Sequence, residues 1–424
     1  MRRTSLLIVS LLSIGTVIFS FLRTYLLDYF DHTGIALGTM SLVIIVYEMS
    51  GSLLNFGGGN ALIKKLTVLD DKNSFIKAFL FKVLTPLFIL GGILYLPVSY
   101  YFKYDLPSSL VWLVIFVALL NSMFFSVGIS KTENEKAYIT QSLFILVSSI
   151  AALVWGIFFT KYNFEYAVYL TCLINLALLI FLYFRESIVI LSSDLIKLDK
   201  EYLKSSVFIY VNSVLAFLYK RADQVMIVSF LGIKKLAAYY LIFQLTELIR
   251  LLPQKFAPII LRKLTGDNCS GNKNITRVYF YFSLLASILL YLSIEFINKY
   301  FNVDLLEYHT EILLLLLSLV IGSLGSFNSM LCISKDKEKE IFFVNILVVL
   351  VQICTTLFLI GSYGILGAVI GKCAGLVVGQ VGQFTVILKN SLLEIKTEYS
   401  KAYFVISSVL LIFMIFKIFE AVNV

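Results

Sequence analysis

Apolar stretches long enough to cross a bilayer recur almost end to end through this chain, and that recurrence restricts its fold more than any motif does. They run at about 5–27, 34–56, 75–100, 109–129, 139–159, 166–184, 206–231, 236–260, 276–297, 310–332, 341–360, 363–388 and 402–420, the last being the weakest. A span needs about 20 mainly apolar residues at about 1.5 Å rise. Composition agrees, with 59% hydrophobic and 14% charged residues, where a soluble domain has about 45–50% and about 25%. Backbone amides in hydrocarbon must bond internally, so the expected fold class is an all-α integral membrane protein with about 12 transmembrane helices and a possible thirteenth. Met1-Arg2-Arg3 and the apolar run after it imitate a signal peptide, but the run is long, carries Arg23 and lacks an A-x-A site, so it is read as the first helix.

Orientation follows from Lys and Arg in the short loops. One alternating set holds Arg2, Arg3, Lys64, Lys65, Lys72, Lys131, Lys136, Arg185, Lys197, Lys200, Lys204, Arg262, Lys263, Lys273, Arg277, Lys335, Lys337, Lys339, Lys389, Lys396 and Lys401. The other holds Lys103, Lys161, Lys234, Lys235 and Lys299. The bias, roughly four to one, puts the N-terminus in the cytoplasm and makes much of the net charge of +9 topological. A nucleic-acid partner is not implied.

The segment 185–205, reading SSDLIKLDKEYLKSS over most of its length, has the apolar spacing of an interfacial amphipathic linker. It divides the chain into an N-terminal six-helix bundle at 1–184 and a C-terminal one at 206–388, followed by 389–424 with a cytoplasmic loop and the weak last segment. Sliding the halves by 198 residues sets Arg23 on Arg221, Gly34-Ile35 on Gly232-Ile233, and Ile63-Lys64-Lys65-Leu66 on Leu261-Arg262-Lys263-Leu264. Ile129-Ser130-Lys131 matches Ile333-Ser334-Lys335 at a slightly larger offset. Both copies start in the cytoplasm, which implies a parallel duplication and two bundles around a central cavity.

Ionisable side chains deep in a span cost about 2.5–3.5 kcal/mol and tend to face the protein interior. Candidates are Arg23, Lys220, Arg221, Arg250 and Lys372 among cations, and Glu48, Asp223 and Glu247 among acids. Structural pairing is one reading: Glu247 and Arg250 are i,i+3, and Arg221 has Asp223 or Glu48 as neutralising partners. Arg23 and Lys82 lie near enough to helix ends to snorkel. The cationic surplus favours an anionic guest, since guanidinium forks match phosphate and pyrophosphate. The acids are candidates for ion coupling or ion pairing.

Gly367, Gly371, Gly375 and Gly379 form a small-xxx-small ridge, readable as a sliding surface or as tight static packing. Pro86, Pro253 and Pro258 interrupt helices three and eight. Tyr210, Tyr219, Tyr239 and Tyr240 are placed either in interfacial belts or against sugar rings. The five cysteines are scattered, His32 and His309 are the two histidines, and no nucleophile triad or phosphate loop is present. Neither a disulfide framework, a metal site, a cofactor nor an enzyme is indicated.

The stretch from Glu201 to Leu264 resembles the middle of polysaccharide (O-antigen and capsule) flippases of the multidrug/oligosaccharidyl-lipid/polysaccharide exporter superfamily. The likeness rests on Glu201-Tyr202-Leu203-Lys204, Arg221-x-Asp223-Gln224-x-Met226, Glu247 with Pro253, and Pro258 before Arg262. Elsewhere it rests on helix spacing, Gly57-Gly58-Gly59-Asn60 and the lysine-rich loops. Arg23 looks like the first-helix arginine of lipid II flippases. Val207 and Ala237 or Ala238 depart from the family's proline and glycine.

The resemblance implies a MATE-like fold in a bacterial cytoplasmic membrane. It implies translocation of undecaprenyl-pyrophosphate-linked oligosaccharide by alternating access, for O-antigen or capsule synthesis. Implied partners are the lipid-linked substrate, membrane lipids, and a polysaccharide polymerase with its chain-length regulator; coupling would use a proton or sodium gradient or the membrane potential. A drug exporter or lipid II-type flippase of the same fold, and a membrane scaffold or polymerase, are the alternatives.

Overall fold

The structure, a computed structural model, describes residues 3–31, 33–50, 86, 88, 89, 93, 107–131, 134–159, 164–185, 200–246, 249, 272–301, 305–334, 337–390, 409, 410 and 412–420. Among these, all regular structure is helical. In chain order the helices are α1 (Arg3–Phe30), α2 (Ile35–Met49), α3 (Ser108–Lys131), α4 (Asn134–Phe159), α5 (Phe164–Arg185), α6 (Lys200–Leu231), α7 (233–246), α8 (Asn272–Leu292), α9 (Ile294–Phe301), α10 (His309–Ser334) and α11 (Glu338–Lys389). A 3₁₀ turn, Leu305–Tyr308, precedes α10. The Gly57–Asn60 stretch, Lys82, Glu247, Arg250, Pro253, Pro258 and most of the 185–205 linker lie outside the described residues.

Large apolar side chains point outward along these helices, with Phe358 84% and Leu292 70% exposed. In water such a surface would aggregate, whereas lipid solvates it. The protein is a multi-pass membrane protein whose polar side chains turn inward.

The chain forms two compact units, Met1–Phe217 and Leu218–Val424. The division falls inside α6. The end of that linker, Lys200 to Lys204, is already helical. These residues contain no Gly or Pro, and extending the helix bonds their amides internally.

In the first unit α1 packs along α4, α4 on α5, α5 on α3, and α3 on α2. A glycine from each of α1 and α4 lets them approach: a Cβ on Gly15 would sit 3.2 Å from Leu146, and one on Gly156 3.1 Å from Leu27. The two contacts follow in the same order along both helices, so α1 and α4 run parallel, as a first and a fifth span must.

In the second unit α11 is 52 residues long. Straight, it would measure about 78 Å, far beyond the roughly 30 Å of a bilayer core. It breaks at Gly364, whose φ of 56° and ψ of −128° no helix contains. The two legs pack on each other through the glycine ridge. A Cβ on Gly367 would lie 2.5 Å from the Leu359 carbonyl oxygen, on Gly371 2.9 Å from the Thr356 nitrogen, on Gly375 2.9 Å from the Gln352 Cβ, and on Gly379 3.1 Å from Val348. The ridge therefore forms the seam of a helical hairpin. Between α8 and α9 the chain bends by 44° at Ser293.

Two turns match across the units. Gly34 has φ 70° and Gly232 φ 88°, left-handed values that a side chain would strain. Each glycine's carbonyl accepts the amide four residues on, Gly38 in one case and Leu236 in the other, both at 3.1 Å. The 198-residue offset thus joins positions with the same backbone conformation and the same first helical hydrogen bond.

Candidate functional site

The second unit holds a buried charged network. Asp223, on α6, is fully buried, and its carboxylate accepts from three donors among the described residues. Lys372 Nζ, from the second leg of α11, donates to its Oδ2 at 2.7 Å. The Tyr239 hydroxyl of α7 donates to the same oxygen. The Gln224 amide donates to Oδ1 at 3.0 Å. Lys372 Nζ also donates to the Lys220 carbonyl at 3.2 Å and stands 4.7 Å from the centroid of the Phe243 ring.

That ring, stacked on Tyr239, carries a second cation on it: the Arg221 guanidinium lies 5.4 Å from its centroid. Arg221 Nη1 donates to Gln224 Oε1 at 2.7 Å. Gln352, from the first leg of α11, donates through Nε2 to the Tyr219 carbonyl at 3.2 Å. A carboxylate, a carbonyl and a ring face thus surround one ammonium, which neutralises the charge where it is buried.

Local sequence explains how α6 supplies so much of this. Arg221, Asp223 and Gln224 fall within one turn, and Phe217, Ile227 and Val228 on the same helix are buried beside them. Tyr239 and Phe243 are i,i+4 on α7, so both reach the same patch of α6.

The first unit holds a cavity of about 350 Å³ where the second holds that network. Its wall comes from α1, α2, α3, α4 and α5 and is mostly apolar, with Arg23, Tyr47, Asn121, Ser149, Thr171 and Asn175 as polar points. Asn121 Nδ2 donates to the Tyr47 hydroxyl oxygen at 2.6 Å. Arg23 Nη2 meets the Ser20 hydroxyl at a long 3.4 Å, and its buried Nε finds no hydrogen-bond partner among the described residues. The Asn175 side-chain oxygen, on a residue only 9% exposed, likewise finds none.

Of the expected site residues, the structure brings together Arg221, Lys372 and Asp223 in the second unit, with Lys220 contributing its backbone carbonyl. Arg23 is in the first-unit cavity, and Glu48 is partly buried in the last turn of α2. Glu247 and Arg250 are outside the described residues. The structure pairs Lys372 with Asp223 rather than leaving it as a bare cation. Sequence reasoning did not single out Asn175, Asn121, Gln352 or Phe243. For Asn175 a signal existed, a carboxamide in the middle of an otherwise apolar span. Among the described residues no His, Cys, Asp and Glu cluster could hold a metal ion.

Solved structures share this fold. The lipid II flippase MurJ, in an inward closed conformation, superposes with a TM-score of 0.70 at 13% identity, covering 96% of this chain and 92% of that one. The chain has its fold. An outward-facing multidrug resistance MATE family transporter of the MOP superfamily gives 0.61 at 13% identity, over 92% of this chain and 96% of that one. A MOP superfamily transporter from Pyrococcus furiosus, described as having a binding pocket of reverse polarity that suggests a different function, gives 0.61 at 13% identity over 91% and 95%. The protein is thus an all-helical membrane protein of MATE-like fold. No family model matches the sequence, and no curated protein matches it.

Proposed function

We propose that this protein is a transporter of the MOP superfamily that moves an undecaprenyl-pyrophosphate-linked oligosaccharide from the cytoplasmic to the outer leaflet by alternating access, for assembly of a surface polysaccharide. The observation that carries the reading is Arg23. It is a guanidinium within a membrane-embedded cavity, with a buried nitrogen that has no protein acceptor among the described residues. A buried donor with a positive charge is costly unless an anion meets it. Diphosphate is the anion whose oxygens a guanidinium fork matches.

The likeness to a lipid II flippase over nearly the whole chain supports a lipid-linked substrate over a soluble one. The acidic cavity that would favour a cationic drug is not what Arg23 provides. Asp223, paired with Lys372, is the group proposed for ion coupling: a carboxylate that exchanges its ammonium partner for a proton changes what the helices around it hold together.

The test is deletion of the gene in its host. The expected outcome is loss of surface polysaccharide with lipid-linked repeat units accumulating in the cytoplasmic leaflet. Normal polysaccharide together with new sensitivity to toxic organic cations would replace the reading with drug export.

A further inference from the structure

The short helix α9, which follows the 44° bend at Ser293, takes no part in the transport reading. The bend leaves the backbone bonded on both sides. The Ser293 amide is shared between the Leu289 and Leu290 carbonyls at 3.0 and 3.1 Å, and its carbonyl accepts the Ile297 amide at 2.9 Å. The Ser293 hydroxyl adds a bond to the Leu290 carbonyl at 2.8 Å. A corner with its amide and carbonyl both satisfied is a fixed feature rather than a frayed helix end. Beyond it, Asn298 Oδ1 accepts the Leu305 amide at 2.8 Å and ties α9 to the 3₁₀ turn.

Held this way, α9 shows three faces, taking about 100° per residue. Ile294 and Ile297 are buried on one face, with Asn298 half-buried beside them. Phe296 and Tyr300 form an exposed aromatic stripe, 59% and 65% exposed, their ring centroids 4.2 Å apart. Glu295 and Lys299 form an exposed charged stripe next to it. The protein covers the first face. The other two are chemically opposite and adjacent, so they require two media meeting along the helix, as lipid and water do at a bilayer surface.

Continuity with α8 says which medium covers the aromatic stripe. Leu285, Leu289 and Leu292 point outward on α8, and Phe296 and Tyr300 follow at steps of four, so one apolar seam runs across the corner. Charges begin only past the corner, since 278–292 contains no Asp, Glu, Lys or Arg. Straight, that run measures about 22 Å, short of the roughly 30 Å of a bilayer core. The aromatic stripe of α9 extends the apolar seam, while the charged stripe brings headgroups and water in to the bend.

We propose that α9 is an interfacial helix seated in the outer leaflet, with Phe296 and Tyr300 among the acyl carbons nearest the headgroups and Glu295 and Lys299 among the headgroups themselves. Lys299 belongs to the sparser set of loop cations, which selects the outer leaflet. One acid and one base cancel, so the seat is apolar in origin and needs no anionic lipid. Its occupant is phospholipid, not a second copy of the chain or another protein.

The test uses the wild-type chain in phosphatidylcholine vesicles, with a photoactivatable diazirine on the phospholipid acyl chain either next to the ester or at the chain end. Labelled residues are mapped by mass spectrometry. The shallow probe should mark Phe296 and Tyr300 severalfold more than the deep probe does, and the deep probe should mark Leu285. A water-soluble carbodiimide with a charged amine should mark Glu295 in the same vesicles. Tyr300 lies farther along the chain from α8 than Glu295, so a helix that merely runs out into water cannot give lipid contact at Tyr300 and water contact at Glu295. Absence of lipid label on Tyr300 overturns the proposal, and so does cross-linking of the aromatic pair to a second copy of the chain. Lipid labelling that appears only after phosphatidylglycerol is added overturns the apolar seat. The transport reading, which rests on Arg23, stands or falls separately.

Discussion

Arg23 and Arg221 stand 198 residues apart, each eleven residues before a left-handed glycine, yet the two units treat them in opposite ways. Around Arg221 the unit is filled: a glutamine accepts from it, a phenylalanine ring lies beneath it, and a lysine–aspartate pair shares that ring. Around Arg23 there is a cavity and, among the described residues, a long contact to a serine one turn back. The difference is written in the matching positions. Where the second unit has Asp223 and Phe243, the same offset in the first gives Tyr25 and Ile45. One acid and one ring convert a cation that can receive a ligand into a cation held by its own chain. Two matching positions can in this way hold one arginine in a filled unit and the other beside a cavity.

The comparison is broken most forcefully at Lys372. Replacing it by Met leaves a fully buried carboxylate with its ammonium gone, which costs about 3–5 kcal/mol. Thermal unfolding in detergent should show a large loss, and Lys372→Met with Asp223→Asn together should recover most of it. If the single variant melts like wild type, the second unit is not held by this pair.

Next in size is the hairpin seam. Gly371→Ala drives a methyl group against Thr356, and overpacking of this kind costs about 1–3 kcal/mol. Gly361→Ala, where a Cβ meets nothing within 4 Å, should be neutral or better by the same melting measurement, because both are glycines of α11 and only one lies on the seam.

Arg23 should behave in the reverse sense. Arg23→Met removes a buried donor that lacks an acceptor among the described residues, so stability should hold within about 1 kcal/mol or rise. Transport, scored by surface polysaccharide in the deletion host, should fall at least tenfold, with partial recovery in Arg23→Lys. A matching loss of stability and transport would make Arg23 structural like Arg221.

The smallest effects sharpen the likeness rather than the difference. Gly34→Ala and Gly232→Ala each force a side chain into left-handed backbone, at about 1 kcal/mol apiece. Equal shifts in melting temperature would confirm that the two turns are equivalent.

Much of this was legible without coordinates. The period and length of the apolar runs required helices, because hydrocarbon leaves the backbone no other way to bond. The rare charges within those runs marked Arg23, Arg221, Asp223 and Lys372 as interior, and the glycine-isoleucine match set Gly34 against Gly232. What stayed hidden depended on distance between remote segments. Lys372 and Asp223 are separated by most of the second half of the chain, and a carboxylate has no sequence signal that says which of several cations it will meet. The glycine ridge was visible, but which helix it packs against turned on Gly364 folding the ridge back onto its own helix. Nor could sequence tell that Asn175 shares a cavity with Arg23. Sequence determined that the chain is a bundle of membrane helices with buried charges, because solvation in lipid depends on composition and periodicity. Tertiary structure alone decided which of those charges are neutralised, because that is a matter of a few ångströms between side chains brought together by packing.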